Sequence, residues 1–182
     1  MNEENPWKIK SSKSIYENPW IGLTEHQVLN PAGGEGIYGV VHFKNLAIGI
    51  IAIDEEDHIF LIGQYRFPLK QYSWELPEGG GMLTSNPLDA AKRELLEETG
   101  LVAKEWKEVL RMHLSNSVSD ELGIIYQANG FEQHPAEPEE TEQLEIKRIP
   151  FEEAYQMVMK GEITDSLSVA GILKVKLMRE GF

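Results

Sequence analysis

Short apolar stretches, rich in β-branched and aromatic residues, run through the first half of the chain and predict strands. They include IYGVVHF at 37–43, LAIGIIAID at 46–54 and HIFLIGQYRF at 58–67, and such compositions are typical of strands. The acidic residues 54–57 separate the last two stretches and predict a hairpin turn. YSWELPEGGG at 72–81 predicts a strand that ends in a glycine-rich loop.

A helix is predicted over residues 86–99, with signals for both of its ends. Asn86 is a suitable N-cap and Pro87 suits the first helical position. Gly100 stands where a helix commonly stops. The apolar residues that recur at helical spacing, and that should face the core, are Leu88, Ala91 and Leu95.

The second half of the chain adds three strands and two amphipathic helices. The strands are predicted at WKEVLRMHL, LGIIYQANGF and LEIKRIP, and the helices at 150–161 and 165–181. This mixture indicates the α/β class, in the form of an α+β sandwich. The short strands before residue 46 predict a β-rich N-terminal extension at 1–45, followed by the main domain at 46–182.

Composition and charge narrow the classes of function. The chain has 182 residues, with 30 acidic against 17 basic ones and a formal net charge of −13. Because nucleic-acid binding requires Lys and Arg to neutralise phosphates, we expect no nucleic-acid partner. The negative net charge remains compatible with a small anionic substrate if divalent cations and a few arginines bridge the protein and that substrate.

The sequence favours a cytoplasmic location. It has no cysteine, and no apolar run approaches the ~20 residues of a membrane span. The first residues, MNEENPWKIK, lack the apolar core of a secretory signal. We therefore expect a cytoplasmic protein that does not bind membranes.

Three glutamates, Glu94, Glu97 and Glu98, share one face at the end of the predicted helix. Like charges at this spacing repel, and anions in the last turn oppose the helix dipole. One interpretation is a solvated face that Lys92 and Arg93 partly neutralise. The other is a site for Mg²⁺ or Mn²⁺, hard cations that carboxylates bind together with phosphate oxygens.

The segment from Gly79 to Leu101, ending in RELLEETGL, resembles the Nudix box. In that motif a glycine opens the segment, and Arg-Glu-hydrophobic-any-Glu-Glu-any-Gly-hydrophobic closes it. One position departs: Ser85 stands where the family usually has another glutamate. The resemblance implies the Nudix fold, a mixed β-sheet between helices, here with a small N-terminal β subdomain.

The resemblance also implies a metal site on this helix. Glu94 and Glu98 are the leading ligands, and Glu97 is a further ligand or a candidate base. The backbone carbonyl of Glu78 corresponds to another ligand, and Arg93 would orient a glutamate through an ion pair. The cofactor implied is Mg²⁺, or Mn²⁺ in its place.

A separate general base is implied by the acidic loop at 138–149, PEETEQLEIKRI, which resembles the loop that carries this base in the ADP-ribose and nucleotide-sugar subgroup. Glu140 is the first candidate and Glu142 the second. A solvated acidic surface loop is the alternative interpretation of this stretch.

The stretch IGQYRFPLKQYSWELPEGGG at 62–81 resembles the segment that this subgroup places before the box. That segment ends in Trp-Glu, then Leu or another hydrophobic residue, then Pro. Arg66 is the candidate partner of the diphosphate because a guanidinium makes bidentate phosphate contacts. The further candidates for substrate contacts are Tyr65, Glu75, Gly79, Gly80, Ser119 and Glu121. The structural alternatives are an exposed charge at a strand end for Arg66, core packing for Tyr65 and an ordinary turn around Ser119.

The function that the resemblance implies is metal-dependent hydrolysis of a nucleoside diphosphate sugar, such as ADP-ribose or GDP-mannose. The products would be a nucleoside monophosphate and a sugar phosphate. The N-terminal strands resemble the subdomain through which these enzymes form homodimers. Two alternatives stay open: hydrolysis of triphosphates or dinucleotides, and a non-catalytic module that binds nucleotide sugars, which Ser85 would favour.

Overall fold

The computed structural model describes residues 4–136 and 143–181. Within these residues the chain forms ten strands and three helices. They divide into two compact units, one of Met1–Asn45 with His113–Glu121 and one of Leu46–Met112 with Leu122–Phe182. No helix among the described residues is both long enough and apolar enough to cross a membrane.

The first unit is built on a three-stranded antiparallel sheet of β1 (Lys8–Glu17), β2 (Ile21–Leu29) and β3 (Glu35–Phe43), in that order. All ten residues of β1 are exposed. The segment His113–Glu121 joins β3 through backbone bonds and through the Tyr38 hydroxyl, which donates to the Ser117 carbonyl at 2.7 Å.

The second unit contains two further sheets. One has the order β10-β5-β6, from Glu145–Pro150, His58–Arg66 and Gln71–Glu75, and the other has the order β7-β4-β9-β8. The strands of the latter are β4 (Asn45–Ala52), β7 (Glu78–Met82), β8 (Leu101–His113) and β9 (Leu122–Gln133). Strands β4 and β9 run parallel, so the unit has the mixed character that the sequence predicted.

The sheet β7-β4-β9-β8 lies between the helices α1 (Pro87–Thr99) and α3 (Ser166–Arg179). Successive side chains of a strand point to opposite faces. On one face of β4, Ile48 and Ile50 pack with Leu95 of α1. On the other face, Gly49 and Ile51 contact Leu167 and Gly171 of α3. The third helix, α2 (Phe151–Met159), packs against α3 and β10.

The predicted hairpin between 46–54 and 58–67 is wrong. The turn exists, with the Asp54 N–H donating to the His58 carbonyl at 3.0 Å. The strands on either side, however, enter different sheets and share only the isolated bridge between Ile53 and Ile59. The reason is burial: β4 is apolar on both faces, and it fits only in a sheet that helices cover on both sides.

Candidate active site

Helix α1 buries part of its acidic face together with its apolar face. Asn86 caps its start by accepting a hydrogen bond from the Leu88 N–H at 3.2 Å, and Gly100 ends it with a φ of 73°. Glu94 and Glu98 are only 8 % and 2 % exposed. Carboxylates this deeply buried need partners, because burying an unpaired charge is strongly unfavourable.

Arg93 bridges the glutamates of α1 and the glycine-rich strand β7. Its guanidinium donates to Glu97 at 2.6 Å, to Glu94 at 2.5 Å and to the carbonyl of Gly80 at 2.9 Å. Partial burial lowers the pKa of Arg93. The charges and hydrogen bonds of Glu94 and Glu97 outweigh this effect, and the pKa lies above its ordinary value. The arginine therefore offsets the repulsion between the two carboxylates and fixes their orientation.

Gly79 lets the backbone of β7 approach the Glu94 carboxyl. A Cβ atom at Gly79 would collide with that carboxyl group, so a larger residue could not stand there without moving Glu94. At Gly81 a Cβ would lie 3.2 Å from Ala90 and from Ile48, which is close packing between β7, β4 and α1. Gly79 and Gly81 therefore allow close approach of neighbouring groups, and neither has a positive φ angle.

The residue just before Gly79 connects the same helix to α3. The Glu78 N–H donates to Glu98 at 3.0 Å, and the Ser168 hydroxyl donates to the Glu78 carboxyl at 3.0 Å. Burial raises the pKa of Glu78 well above its ordinary value, and the charge and hydrogen bond of Asp165 raise it further. Glu78 therefore favours its protonated form more strongly than an exposed glutamate does.

Arg66 and Glu75 form a second ion pair beside Glu78. The Arg66 Nε lies 3.0 and 2.8 Å from the two Glu75 carboxylate oxygens, and Nη2 lies 4.0 Å from Glu78 Oε2. Burial lowers the pKa of Arg66, but hydrogen bonds and charge from Glu75 outweigh it. This pair lines a cavity together with Pro68, Leu69, Ser73, Thr164 and Asp165.

The structure brings most of the predicted residues of the second unit into two adjoining clusters. One holds Arg93, Glu94, Glu97 and Gly80; the other holds Arg66, Glu75, Glu78 and Glu98. Across residues 4–136 and 143–181, however, no three His, Asp or Glu side chains are arranged so that they could already hold one metal ion. The metal ligands proposed from the sequence therefore stay a prediction.

The other predicted residues lie elsewhere. Tyr65 is 61 % exposed and pairs in register with Tyr72, and as the neighbour of Arg66 on a strand it points to the opposite face. Ser119 and Glu121 belong to the first unit, where the Ser119 hydroxyl donates to a carbonyl of the same loop at 3.2 Å. The candidate bases Glu140 and Glu142 lie outside the described residues.

Asp165 and Ser168, at the start of α3, were missed by the sequence analysis. Asp165 caps the helix by accepting from the Ser168 N–H at 2.8 Å. An aspartate immediately before a helix is a recognisable capping signal. Nothing in the sequence, however, indicated that this helix start would lie against Glu78.

Two family profiles match the chain. Residues 43–167 match the NUDIX domain, and residues 7–41 match the nucleoside diphosphate sugar hydrolase N-terminal domain. The first match covers more than half of the chain, and the second covers the strands that precede it.

Individual relatives match along almost the whole chain. An ADP-ribose pyrophosphatase of Mycobacterium tuberculosis is 32 % identical over 183 residues, covering 98 % of this chain and 87 % of the relative. A methanol dehydrogenase activator of Bacillus methanolicus is 30 % identical over 172 residues, covering 93 % and 92 %. A crystal structure of an ADP compounds hydrolase shares the fold, with a TM-score of 0.88, 19 % identity, and coverage of 100 % and 98 %.

Proposed function

This chain belongs to the NUDIX family, and from that premise we propose that it hydrolyses the pyrophosphate bond of a nucleoside diphosphate sugar. The N-terminal match to nucleoside diphosphate sugar hydrolases and the name of the Mycobacterium tuberculosis relative support this substrate class. ADP-ribose and a sugar nucleotide such as GDP-mannose are the substrates to test first. One observation carries the proposal: the buried carboxylates of α1 meet the backbone of β7 beside the Arg66 pair.

Members of the family generally use divalent metal ions, and the residues of this site fit one. The donors are carboxylate oxygens and a backbone carbonyl, which suit hard cations such as Mg²⁺ or Mn²⁺. Glu94 and Glu98 would hold the metal first, with Glu97 and the Glu78 carbonyl as further ligands. The close approach at Gly79 supports this, because it places backbone directly against a carboxylate.

When bound, the metal would neutralise phosphate charge and acidify the attacking water. The protein's own residues would supply the rest. Arg93 would keep Glu94 and Glu97 oriented, as it already does through its two ion pairs. Arg66, held by buried Glu75 at the edge of its cavity, would bind the diphosphate through N–H groups other than those that bind Glu75.

The reaction needs a base for the proton of water. Water forms a bond to one phosphorus, the bridging P–O bond breaks, and each product keeps one phosphate group. Glu140, with Glu142 as the second choice, is proposed as the group that accepts the proton. Both residues lie outside the part of the chain that the structure describes, so the proposal rests on the sequence resemblance.

A substrate panel tests the proposed function. Purified protein would be assayed with Mg²⁺ and with Mn²⁺ on ADP-ribose, GDP-mannose, nucleoside triphosphates and dinucleoside polyphosphates, with products separated by ion-exchange chromatography. We expect the highest kcat/KM for a nucleoside diphosphate sugar, with nucleoside monophosphate and sugar phosphate as products. Preference for triphosphates or dinucleotides would overturn the substrate class.

A non-catalytic module is the second candidate, which Ser85 favours because the family usually has a glutamate there. The same panel separates the two: binding of a nucleotide sugar, measured by calorimetry, without turnover under either metal would replace the enzyme by a binding module. The buried glutamates Glu94 and Glu98 oppose that outcome, because a binding module has no need of them.

A homodimer in the cytoplasm is also part of the proposal. The fully exposed strand β1, in the segment that matches the N-terminal domain of nucleoside diphosphate sugar hydrolases, supports association through the first unit. Without cysteine the chain forms no disulfide, so nothing in its sequence requires an oxidising compartment. No nucleic-acid or membrane partner is proposed.

A further inference from the structure

Ser168 is a polar residue with no exposed surface, and its hydroxyl makes two hydrogen bonds. It accepts one from the Leu76 N–H at 2.8 Å and donates one to the Glu78 carboxyl at 3.0 Å. The single O–H donor and one acceptor position of this buried hydroxyl are both used, so its orientation is fixed. Both partners lie 90 or more residues earlier in the chain.

The two residues that Ser168 contacts lie on either side of Pro77, in the segment Leu76-Pro77-Glu78 that leads from β6 into the first residue of β7. Two other elements hold the same three residues: the Pro77 carbonyl accepts from the Ile50 N–H at 2.9 Å, and the Glu78 N–H donates to Glu98 at 3.0 Å. Strand β4, helix α1 and helix α3 therefore fix this connection from three directions. Strand β4 acts through its backbone and α1 through the carboxyl group of Glu98, whereas α3 acts through the uncharged hydroxyl of Ser168.

Helix α3 itself is fixed at this point. The Ser168 N–H donates to the capping carboxylate of Asp165 at 2.8 Å, while its hydroxyl reaches Leu76 and Glu78. One residue therefore links the helix cap to the connection before β7. Displacement of that hydroxyl would remove its hydrogen bonds to the Leu76 N–H and to the Glu78 carboxyl, leaving Asp165 as the hydrogen-bond partner of Glu78 on this helix.

We infer that Ser168 is a positioning residue, whose hydroxyl aligns the Glu78 peptide with Glu98 for metal binding and phosphoanhydride hydrolysis. The inference rests on the proposed function and assigns a role to α3, which carries none of the residues of the Nudix box. In this role Ser168 would itself bind neither substrate nor metal. It acts through Glu78, whose carbonyl is a proposed ligand and whose N–H holds the proposed ligand Glu98.

The test compares Ser168→Ala with Ser166→Ala, an exposed serine on the same helix. Mn²⁺ binding to the protein without substrate would be measured by electron paramagnetic resonance, and kcat and KM would be measured on the best substrate. For Ser168→Ala we expect a Kd for Mn²⁺ raised about 10-fold or more, the range found when partners of metal ligands are removed. We also expect a lower kcat with little change in KM, and wild-type values for Ser166→Ala.

Other outcomes would overturn the inference. Wild-type Mn²⁺ binding in folded Ser168→Ala would do so even if kcat fell, since a structural defect that only lowers the active fraction leaves the Kd unchanged. If Ser168→Ala does not fold, Ser168→Cys decides in its place, because it keeps the volume while weakening both hydrogen bonds. Failure of both to fold would make Ser168 a folding determinant and would also overturn the inference.

Failure of the proposed function is a separate result. A wild-type protein without turnover on any nucleotide sugar would refute the proposed reaction. The Mn²⁺ comparison between Ser168→Ala and Ser166→Ala would still report on the positioning of Glu78.

Discussion

At the scale of single residues, the contact between Gly79 and Glu94 explains why the motif opens with glycine. The Glu94 carboxyl occupies the space where a side chain at position 79 would begin, and Arg93 donates a hydrogen bond to it there. The carboxylate therefore has little freedom to move away. Even the single methyl group of an alanine at position 79 would therefore displace the Glu94 carboxyl.

Gly79→Ala is expected to lower kcat/KM about 100-fold, since a displacement of about 1 Å at a reacting centre has an effect of this order. The added Cβ would push the Glu94 carboxyl out of its contact with Arg93. Steady-state assays of Gly79→Ala against Gly39→Ala test this, because a Cβ at Gly39 meets nothing within 4 Å. Equal activity of the two variants would show that Glu94 need not occupy its present position.

Glu98→Gln tests the proposed metal ligand that the structure buries most deeply. The amide oxygen can still accept from the Glu78 N–H, so we expect the fold to persist. Loss of the negative charge should weaken Mn²⁺ binding and lower kcat about 100-fold or more, as happens when a preorganised charge-stabilising group is removed. Glu153→Gln, on the exposed surface of α2, is the control. Unchanged turnover in Glu98→Gln would remove this residue from the metal site.

The sequence could predict the carboxylates of α1 because they lie close together in the chain and repeat at helical spacing. It could not predict Ser168, because that residue meets Glu78 only after the chain has folded across 90 residues. A serine has no distinctive pattern of its own. Residues whose roles depend on distant partners are the part of a site that local patterns do not reveal.

At the scale of elements, the turn between β4 and β5 is held by Asp54. Its carboxylate accepts from the backbone N–H groups of Glu56 and His58, and it pairs with Arg148 of β10 at 2.6 Å. Burial raises the pKa of Asp54, but these hydrogen bonds outweigh it, and the pKa lies below its ordinary value. The turn therefore gains stability from the ionised carboxylate.

The lowered pKa fixes the direction of a pH effect. A carboxyl group whose pKa is lowered in the folded state stabilises the protein at pH values above its unfolded pKa of 3.8. This stabilisation is lost as the pH falls through the folded pKa. Asp54→Asn should therefore lower the free energy of unfolding by about 1 kcal/mol at pH 7, since Arg148 is partly exposed. The difference should shrink below pH 3.8.

Urea denaturation of wild type and Asp54→Asn from pH 7 to pH 3, without metal, measures this effect. Glu55→Gln is the control, because Glu55 is the exposed neighbour in the same turn. A difference between wild type and Asp54→Asn that stayed constant over the whole pH range would show that the charge of Asp54 does not act as inferred.

The elements themselves were largely predictable, but their pairing was not. Helix α1 was expected at 86–99 and is found at Pro87–Thr99, because both of its ends carry strong local signals. The apolar runs that became β4 and β5 were correctly predicted as strands. Their assignment to one hairpin failed because a run that is apolar on both faces does not show which strand it will pair with.

At the scale of the whole molecule, association can be tested directly. We expect size-exclusion chromatography with light scattering to give the mass of a dimer, twice the 20.6 kDa of the chain. Ile15→Lys on the exposed strand β1 should weaken that dimer by replacing an exposed apolar side chain with a charge, whereas Lys13→Glu, at a position that is already charged, should weaken it less. A monomer at all concentrations would refute the homodimer.

The hydrogen bond from the Leu76 N–H to Ser168 spans 92 residues and has a consequence for synthesis on the ribosome. The helix that bears the glutamates, and the glycine strand against it, emerge long before α3. Until position 168 has left the exit tunnel, the connection before β7 lacks one of the three elements that hold it. We therefore expect nascent chains arrested before this point to lack the completed site, even where α1 is already formed.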